Sequence, residues 1–193
     1  MGDILYHIKD DKRVEKSSEL LYQGLLRCLN QKDFADITVS DISKASTVGR
    51  ATFYRNFDSI ADILSWKCNQ QVSEMLHGYI EQHIHSDRKL DFLLHVFRYW
   101  TIHLEVLECL LRINRIDIIY KSFMDNSHII MDYLKDQIKL PDFHYDYFMS
   151  TRIGIFIGIM DTWMKNGKSE SAEEITEIIE KQLLFAQKST LIF

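Results

Sequence analysis

An all-α fold follows from three features of the chain. Its 193 residues include one proline and seven glycines, so little interrupts a helical backbone. Apolar residues recur at three- and four-residue intervals through successive windows, the spacing that gives a helix one buried stripe. Helix-boundary signals fall between those windows: Thr38 with Asp41, Gly167, and Ser171 with Glu174. These predict about nine helices, an N-terminal three-helix unit over residues 1–58 and a C-terminal helical bundle over residues 59–193.

Composition limits the function classes. A 46% hydrophobic fraction over this length can bury a sizeable core, in one or two domains. The net charge of −5 argues against a protein that coats nucleic acid indiscriminately, while leaving room for cations focused on one surface. Residues 1–58 hold nine Lys/Arg against nine Asp/Glu and the remainder 14 against 19, so the excess acidity lies outside the N-terminal unit. Cys28, Cys68 and Cys109 are odd in number and form no C-x-x-C. They read as small core residues in a reducing compartment, not as a disulfide frame or zinc site. Residues 1–16 lack the apolar block of a signal peptide, and the longest apolar run, Ile153 to Met160, is far too short to span a bilayer. A cytoplasmic protein with no membrane partner is expected. No Ser/His/Asp or Cys/His arrangement, phosphate-cradling glycine loop or H-E-x-x-H is present, so no enzyme, cofactor or metal is expected. His77, His83 and His85 do not change this, because 83 and 85 point apart on a helix.

In chain order, Ile4, Leu5, Tyr6 and Ile8 form at most a short arm. The first helix is expected from about Asp11 to Asn30, with Val14, Leu21, Leu25 and Cys28 as its stripe and Leu20 and Leu29 widening it. Lys12, Arg13 and Lys16 lie early on its surface. Thr38 then caps a second helix, with Asp41 in its first turn and Val39, Ile42 and Ala45 facing inward. Ser46, Thr47 and Val48 make a turn, Val48 as its apolar plug. Gly49 opens a third helix carrying Arg50, Ala51, Thr52, Phe53, Tyr54, Arg55 and Asn56, before Phe57 turns inward.

Two short helices so close together, with polar groups concentrated on the second, suit a helix-turn-helix that offers its second helix to a DNA major groove; the alternative is a helical hairpin buried in an all-α core. A cation, a methyl and a hydroxyl at Arg50, Ala51 and Thr52 match guanine edges, a thymine methyl, and a base or phosphate. Thr38, Tyr54, Arg55 and Asn56 would hold phosphates, which set register without reading sequence.

The text Thr38-Val39-x-Asp41-Ile42, Ala45-Ser46-Thr47-Val48-Gly49, Thr52-Phe53-Tyr54-Arg55-Asn56-Phe57 and Ser59 resembles the DNA-binding domain of the TetR family of bacterial regulators. The likeness covers about the first 65 residues and departs at three places. Thr47 stands where the family has its turn glycine, so a positive φ there would be strained. Gly49 replaces a serine cap, and Ile60 a phosphate-gripping lysine; both departures weaken the hold on phosphate.

Ser59 to about His85 is expected as a long helix, through Ile63, Leu64, Trp66, Val72, Met75, Leu76, Tyr79 and Ile80, on the order of 40 Å in length. The family resemblance makes it the lever between ligand and DNA-binding head. Phe92, Leu93, Val96, Phe97 and Trp100 make one face of a helix ending near His103. Helices over about Glu105–Asn114 and Asp117–Lys139 follow, with a break at Pro141. The last two, about Phe143–Asn166 and Ser171–Lys188, are joined by Gly167-Lys168-Ser169, with Gly167 as a left-handed cap and Ser171/Glu174 as a capping box. Ile175, Ile178, Ile179, Leu183 and Ala186 make a stripe on the final helix.

Gly154-x-x-x-Gly158-Ile159-Met160-x-Thr162-Trp163-x-x-Asn166-Gly167, followed by an acidic helix, resembles a C-terminal domain of Firmicutes regulators of the same family. It implies helices for dimerisation and a ligand or partner site. Gly154 and Gly158, with Ile175, Ile179 and Leu183, are the expected homodimer seam, internal packing being the competing reading. A ligand site is expected among Phe97, Trp100, His103, Tyr120, Phe123, Met124, Phe148, Arg152 and Phe156. The expected function is a transcriptional regulator, a repressor in the working form, that binds a pseudo-palindromic double-stranded DNA operator as a homodimer and is released by a small-molecule effector. The alternative is a co-regulator with weak intrinsic DNA binding that acts through a protein partner.

Overall fold

The computed structural model describes residues 12–83, 92–134 and 144–188. Within them the chain forms α1 (Lys12–Leu29), a short 3-10 turn (Phe34–Asp36), α2 (Val39–Ser46), α3 (Arg50–Asn56), α4 (Ile60–His83), α5 (Phe92–Ile102), α6 (Glu105–Arg112), α7 (Ile116–Leu134), α8 (Tyr145–Lys165) and α9 (Ala172–Lys188). No strand occurs among the described residues, and none of their helices is long and apolar enough to cross a membrane. The N-terminal arm, the break at Pro141 and His85 lie outside the described residues, as do the side chains of His83, Leu183 and Ala186.

The helix ends are set by local chemistry. Thr38 and Asp41 form a reciprocal capping box: Thr38 Oγ1 accepts the Asp41 N–H at 3.2 Å, and Asp41 Oδ2 accepts the Thr38 N–H at 2.9 Å. Ser171 and Glu174 repeat it at the start of α9, at 2.8 and 3.2 Å. Two helices close with the same C-terminal motif. At the end of α8, Lys168 N–H bonds Trp163 O at 2.9 Å and Gly167 N–H bonds Met164 O at 3.1 Å, with Gly167 at φ 85°. At the end of α6, Arg115 N–H bonds Leu110 O at 2.8 Å and Asn114 N–H bonds Leu111 O at 3.1 Å, with Asn114 at φ 56°. Asparagine is among the few residues that tolerate this region, which is why α6 stops two residues before the expected Asn114.

The first three helices pack around Leu21, Leu25, Ile37, Ile42, Phe53 and Phe57, all buried. Helix α1 crosses the end of α2 so closely that a Cβ on Gly24 would lie 2.7 Å from Ser46 Cβ. Only glycine fits that crossing. Helix α4 packs on α1 at one end and along α7, with α5 and α6 also against it; α5 meets α9, and α7 meets α8. Lys67 on α4 pairs with Glu19 on α1 at 2.8 Å, its ammonium 5.4 Å from the Tyr22 ring centroid. The Tyr22 hydroxyl donates to Glu105 of α6 at 3.4 Å; burial, then the Glu105 charge, raises its pKa. All three cysteines are free and buried, as the sequence suggests, and burial pushes the Cys68 thiol up to about 12 and Cys109 to about 11.

Candidate nucleic-acid interface and interior effector region

Helix α3 has two faces. Phe53, Asn56 and Phe57 are buried, while Arg50, Ala51, Tyr54 and Arg55 are exposed and Thr52 is half-buried. The outward set follows one helical stripe and carries guanidinium, methyl, phenol and guanidinium in turn. Among the described residues neither Arg50 nor Arg55 has a carboxylate partner. Both cations are therefore available to an external anion.

The inward set explains why this seven-residue helix holds its position. Phe53 packs edge-on against Tyr54 at 5.2 Å between centroids and tilted against Phe57 at 6.0 Å; Phe57 reaches Trp66 of α4 at 6.3 Å. Asn56, expected as a phosphate donor, is instead 1% exposed, and its Nδ2 donates to Ser17 Oγ of α1 at 3.2 Å. The correction has a simple cause: position 56 follows Phe53 by three and falls on the buried stripe. Asn56 ties α3 to α1 and leaves phosphate contact to its neighbours.

The turn before α3 is unusual. Thr47 adopts φ 61°, ψ 14°, the left-handed conformation that a β-branched residue rarely takes. The turn keeps its geometry at the cost of local strain. Ser46 Oγ accepts the Val48 N–H at 3.2 Å, and Arg27 Nη2 donates to Ala45 O at 2.7 Å, so the end of α2 is held from two sides. Gly49 caps α3 with backbone only; no side chain bonds there. Ile60 packs against the core at the start of α4, where Asp62 Oδ2 accepts the N–H groups of Asp58 and Ser59 at 3.1 and 2.6 Å. Thr38 is exposed at the start of α2, its hydroxyl donating to Asp41 at 2.7 Å. Lys32 bonds Asp41 at 2.9 Å, and that bond, then those from Thr38, hold the Asp41 carboxyl well below the usual carboxylate range.

Farther along the chain, four of the residues expected to line a ligand site come together. Phe97, Trp100, Phe123 and Phe156 are buried, with ring centroids 5.0 Å apart for Phe123–Phe156 and 6.0–6.2 Å for the other contacts. Met124 and Phe148 pack against this core from partly buried positions. Arg152 lies over the Phe148 ring, its guanidinium carbon 3.3 Å from the centroid. His103 and Tyr120 are not in the group. His103 is exposed and stacks on Tyr99 at 4.4 Å, and Tyr120 is 38% exposed on α7. Both fall one position off the inward stripe of their segment.

The expected seam also divides. Gly154 and Gly158 are exposed on α8, and a Cβ at either would meet nothing within 4 Å. Ile175 and Ile179, in contrast, are buried on α9, which packs on α5; they belong to the interior of the chain and not to a seam. The exposed apolar residues are Ile155 and Tyr147 on α8 and Ile178 and Leu184 on α9. Sequence reading missed these because the stripe on α9 was taken to include both faces of the Ile178-Ile179 pair.

Comparison with known proteins agrees with this architecture. Residues 21–65 match the family model for bacterial regulatory proteins of the tetR family, and residues 87–184 match that for a transcriptional regulator C-terminal region. A 67-residue stretch is 34% identical to the uncharacterized HTH-type transcriptional regulator YxbF of Bacillus subtilis; it spans 34% of this chain and 18% of that relative's length. The crystal structure of Lin0861 from Listeria innocua superposes with a TM-score of 0.79 at 15% identity, over 95% of this chain and 97% of that one. A TetR transcriptional regulator from Streptococcus agalactiae gives 0.55 at 18% identity, over 87% and 93%.

Proposed function

From the premise that this chain belongs to the TetR family of bacterial transcriptional regulators, we propose that it binds double-stranded DNA as a homodimer and releases it when a small molecule enters the C-terminal bundle. Residues 1–58 act as the DNA-binding head and 59–193 as the regulatory and dimerisation part. The observation that carries this reading is the outward face of α3, where Arg50 and Arg55 stand exposed without acidic partners and the opposite face is anchored by Phe53, Asn56 and Phe57. Arg50, Ala51 and Thr52 read base edges. Thr38, Tyr54 and Arg55 hold phosphates. In a two-fold dimer the two α3 helices enter successive major grooves about 34–36 Å apart.

The dimer seam runs along α8 and α9, with Gly154 and Gly158 giving close approach and Tyr147, Ile155 and Ile178 supplying exposed apolar surface. Release of DNA requires that ligand and DNA favour different conformers. Helix α4 is the element that transmits the change, because it touches both α1 and α7. Acting as a repressor is the form of this switch we propose.

Binding to mixed-sequence duplex DNA at rising salt tests the phosphate contacts. A steep fall in affinity with salt is expected, since each cation on a phosphate releases a counterion. A second reading draws on Gly49 and Ile60, where two helix starts lack a phosphate-holding side chain: weak intrinsic affinity, supplemented by a protein partner. Absence of binding even at low salt, restored by a second protein, would favour that reading.

A further inference from the structure

We propose that the aromatic interior between α5, α7 and α8 takes a small aromatic carboxylate, held by the Trp100 indole N–H at its inner end and the Arg152 guanidinium at its outer end. The inference rests on the reading that this half of the molecule answers to a small molecule, and it supplies that molecule's chemical class.

Phe97, Trp100, Phe123 and Phe156 meet at interplanar angles of 36–48°, an array of tilted rings with room for edge and face contacts to a further ring. The one polar atom these four side chains contribute is Trp100 Nε1. It is buried and has no hydrogen-bond partner. Leaving a buried N–H unmade costs about 1–3 kcal/mol, so this donor is an unmet demand for an acceptor. Gln71 Oε1 on α4 is also buried without a partner, but it is an acceptor and no ring contact joins it to the cluster.

The second group lies on α8. Phe148, Arg152 and Phe156 follow at four-residue spacing along one side of the helix, so Arg152 sits one turn from the ring that touches Phe97, Trp100 and Phe123. Its guanidinium lies on the Phe148 ring, and Nη1 donates to the Phe148 carbonyl at 3.2 Å. Among the described residues no carboxylate answers its charge. Partial burial lowers its pKa, and no charged neighbour contributes to that shift. The stacked face and one N–H are used; the rest of the planar donor fork is not.

Both unmet groups are donors, and one is a permanent cation. An amine would bring a donor to a donor and a charge to a like charge. A phosphate dianion would need more than one cation to offset its desolvation. A carboxylate matches the flat guanidinium fork, and an aromatic body matches the surrounding rings.

The test is calorimetric titration of the full chain with benzoate, salicylate, phenylacetate, cinnamate and 1-naphthoate, each beside its neutral amide. It is run on wild type, Arg152→Met, Arg152→Lys and Trp100→Phe, with thermal melts confirming the fold of each. At least one acid should bind about tenfold or more tighter than its amide. Arg152→Met should erase that preference while leaving amide binding within about twofold, and Arg152→Lys should restore part of it. Trp100→Phe should weaken acid and amide together; should it fail to fold, the Arg152 pair decides. Equal binding of acids and amides, binding of no panel member, or an acid preference that survives Arg152→Met would overturn the proposal. DNA affinity of the same preparations separates the two levels. Acid binding that leaves DNA affinity unchanged keeps the site and removes its regulatory role. Failure of the ligand-free wild type to bind DNA strikes the regulator reading and leaves the acid result standing.

Discussion

On α3, Phe53 and Phe57 face inward so that Arg50, Tyr54 and Arg55 face solvent; among α5, α7 and α8, Trp100 and Phe156 face inward and enclose an unmet N–H with them. In the head, nearly all polar chemistry near the recognition helix is either bonded to scaffold, as at Asn56–Ser17 and Thr38–Asp41, or left free on the outside. In the bundle, a donor is left unbonded on the inside. Burial of a polar group without a partner is unfavourable, so the contrast locates the two functions: an external surface for a large polyanion, and an internal site for a small ligand.

Breaking the anchored side of the head should have the largest effect. Phe53→Ala removes a fully buried ring that bridges to Tyr54 and Phe57, and should cost about 3–5 kcal/mol in urea unfolding. Gly24→Ala forces α1 away from Ser46 and should destabilise by about 1–3 kcal/mol; retention of wild-type stability would mean the α1–α2 crossing yields easily. Arg50→Ala acts on the outer side instead. It should leave the melting curve unchanged, cost about 1–3 kcal/mol in DNA affinity at one position, and relax sequence preference there. An unaltered preference would remove Arg50 from base reading.

Smaller effects sharpen the distinction. Thr38→Ala loses the cap of α2 and should lower stability by about 0.5–2 kcal/mol. The Asp41 carboxylate, held down by Lys32 and Thr38, contributes stability that is present above the unfolded carboxylate pKa of about 3.9 and fades as pH falls through its lower folded value. Asp41→Asn should therefore flatten the acid limb of stability below about pH 4, read by thermal melts across pH. An acid limb identical to wild type would place the sensitivity elsewhere.

The head was legible in the sequence because its determinants are local. Thr38 and Asp41 are three residues apart, and Phe53 and Phe57 four, so spacing alone reveals cap and core. Asn56 was misplaced because its partner Ser17 is 39 residues away and nothing nearby marks the contact. The same reason governs the bundle. Gly167 and the Ser171–Glu174 box were readable, whereas Ile175 and Ile179 are buried by α5, and His103 and Tyr120 turn outward, through helix pairings with no short-range signature. Gly24 carried no signal at all, since its role depends on how near Ser46 comes.

Selection of bound sequences from random duplex DNA by the purified chain tests the account most directly. It should enrich an inverted repeat whose half-site centres lie about 34–36 Å apart along the duplex, and Arg50→Ala should blur one position in each half. Enrichment of nothing, or of a single asymmetric element indifferent to Arg50, would contradict it.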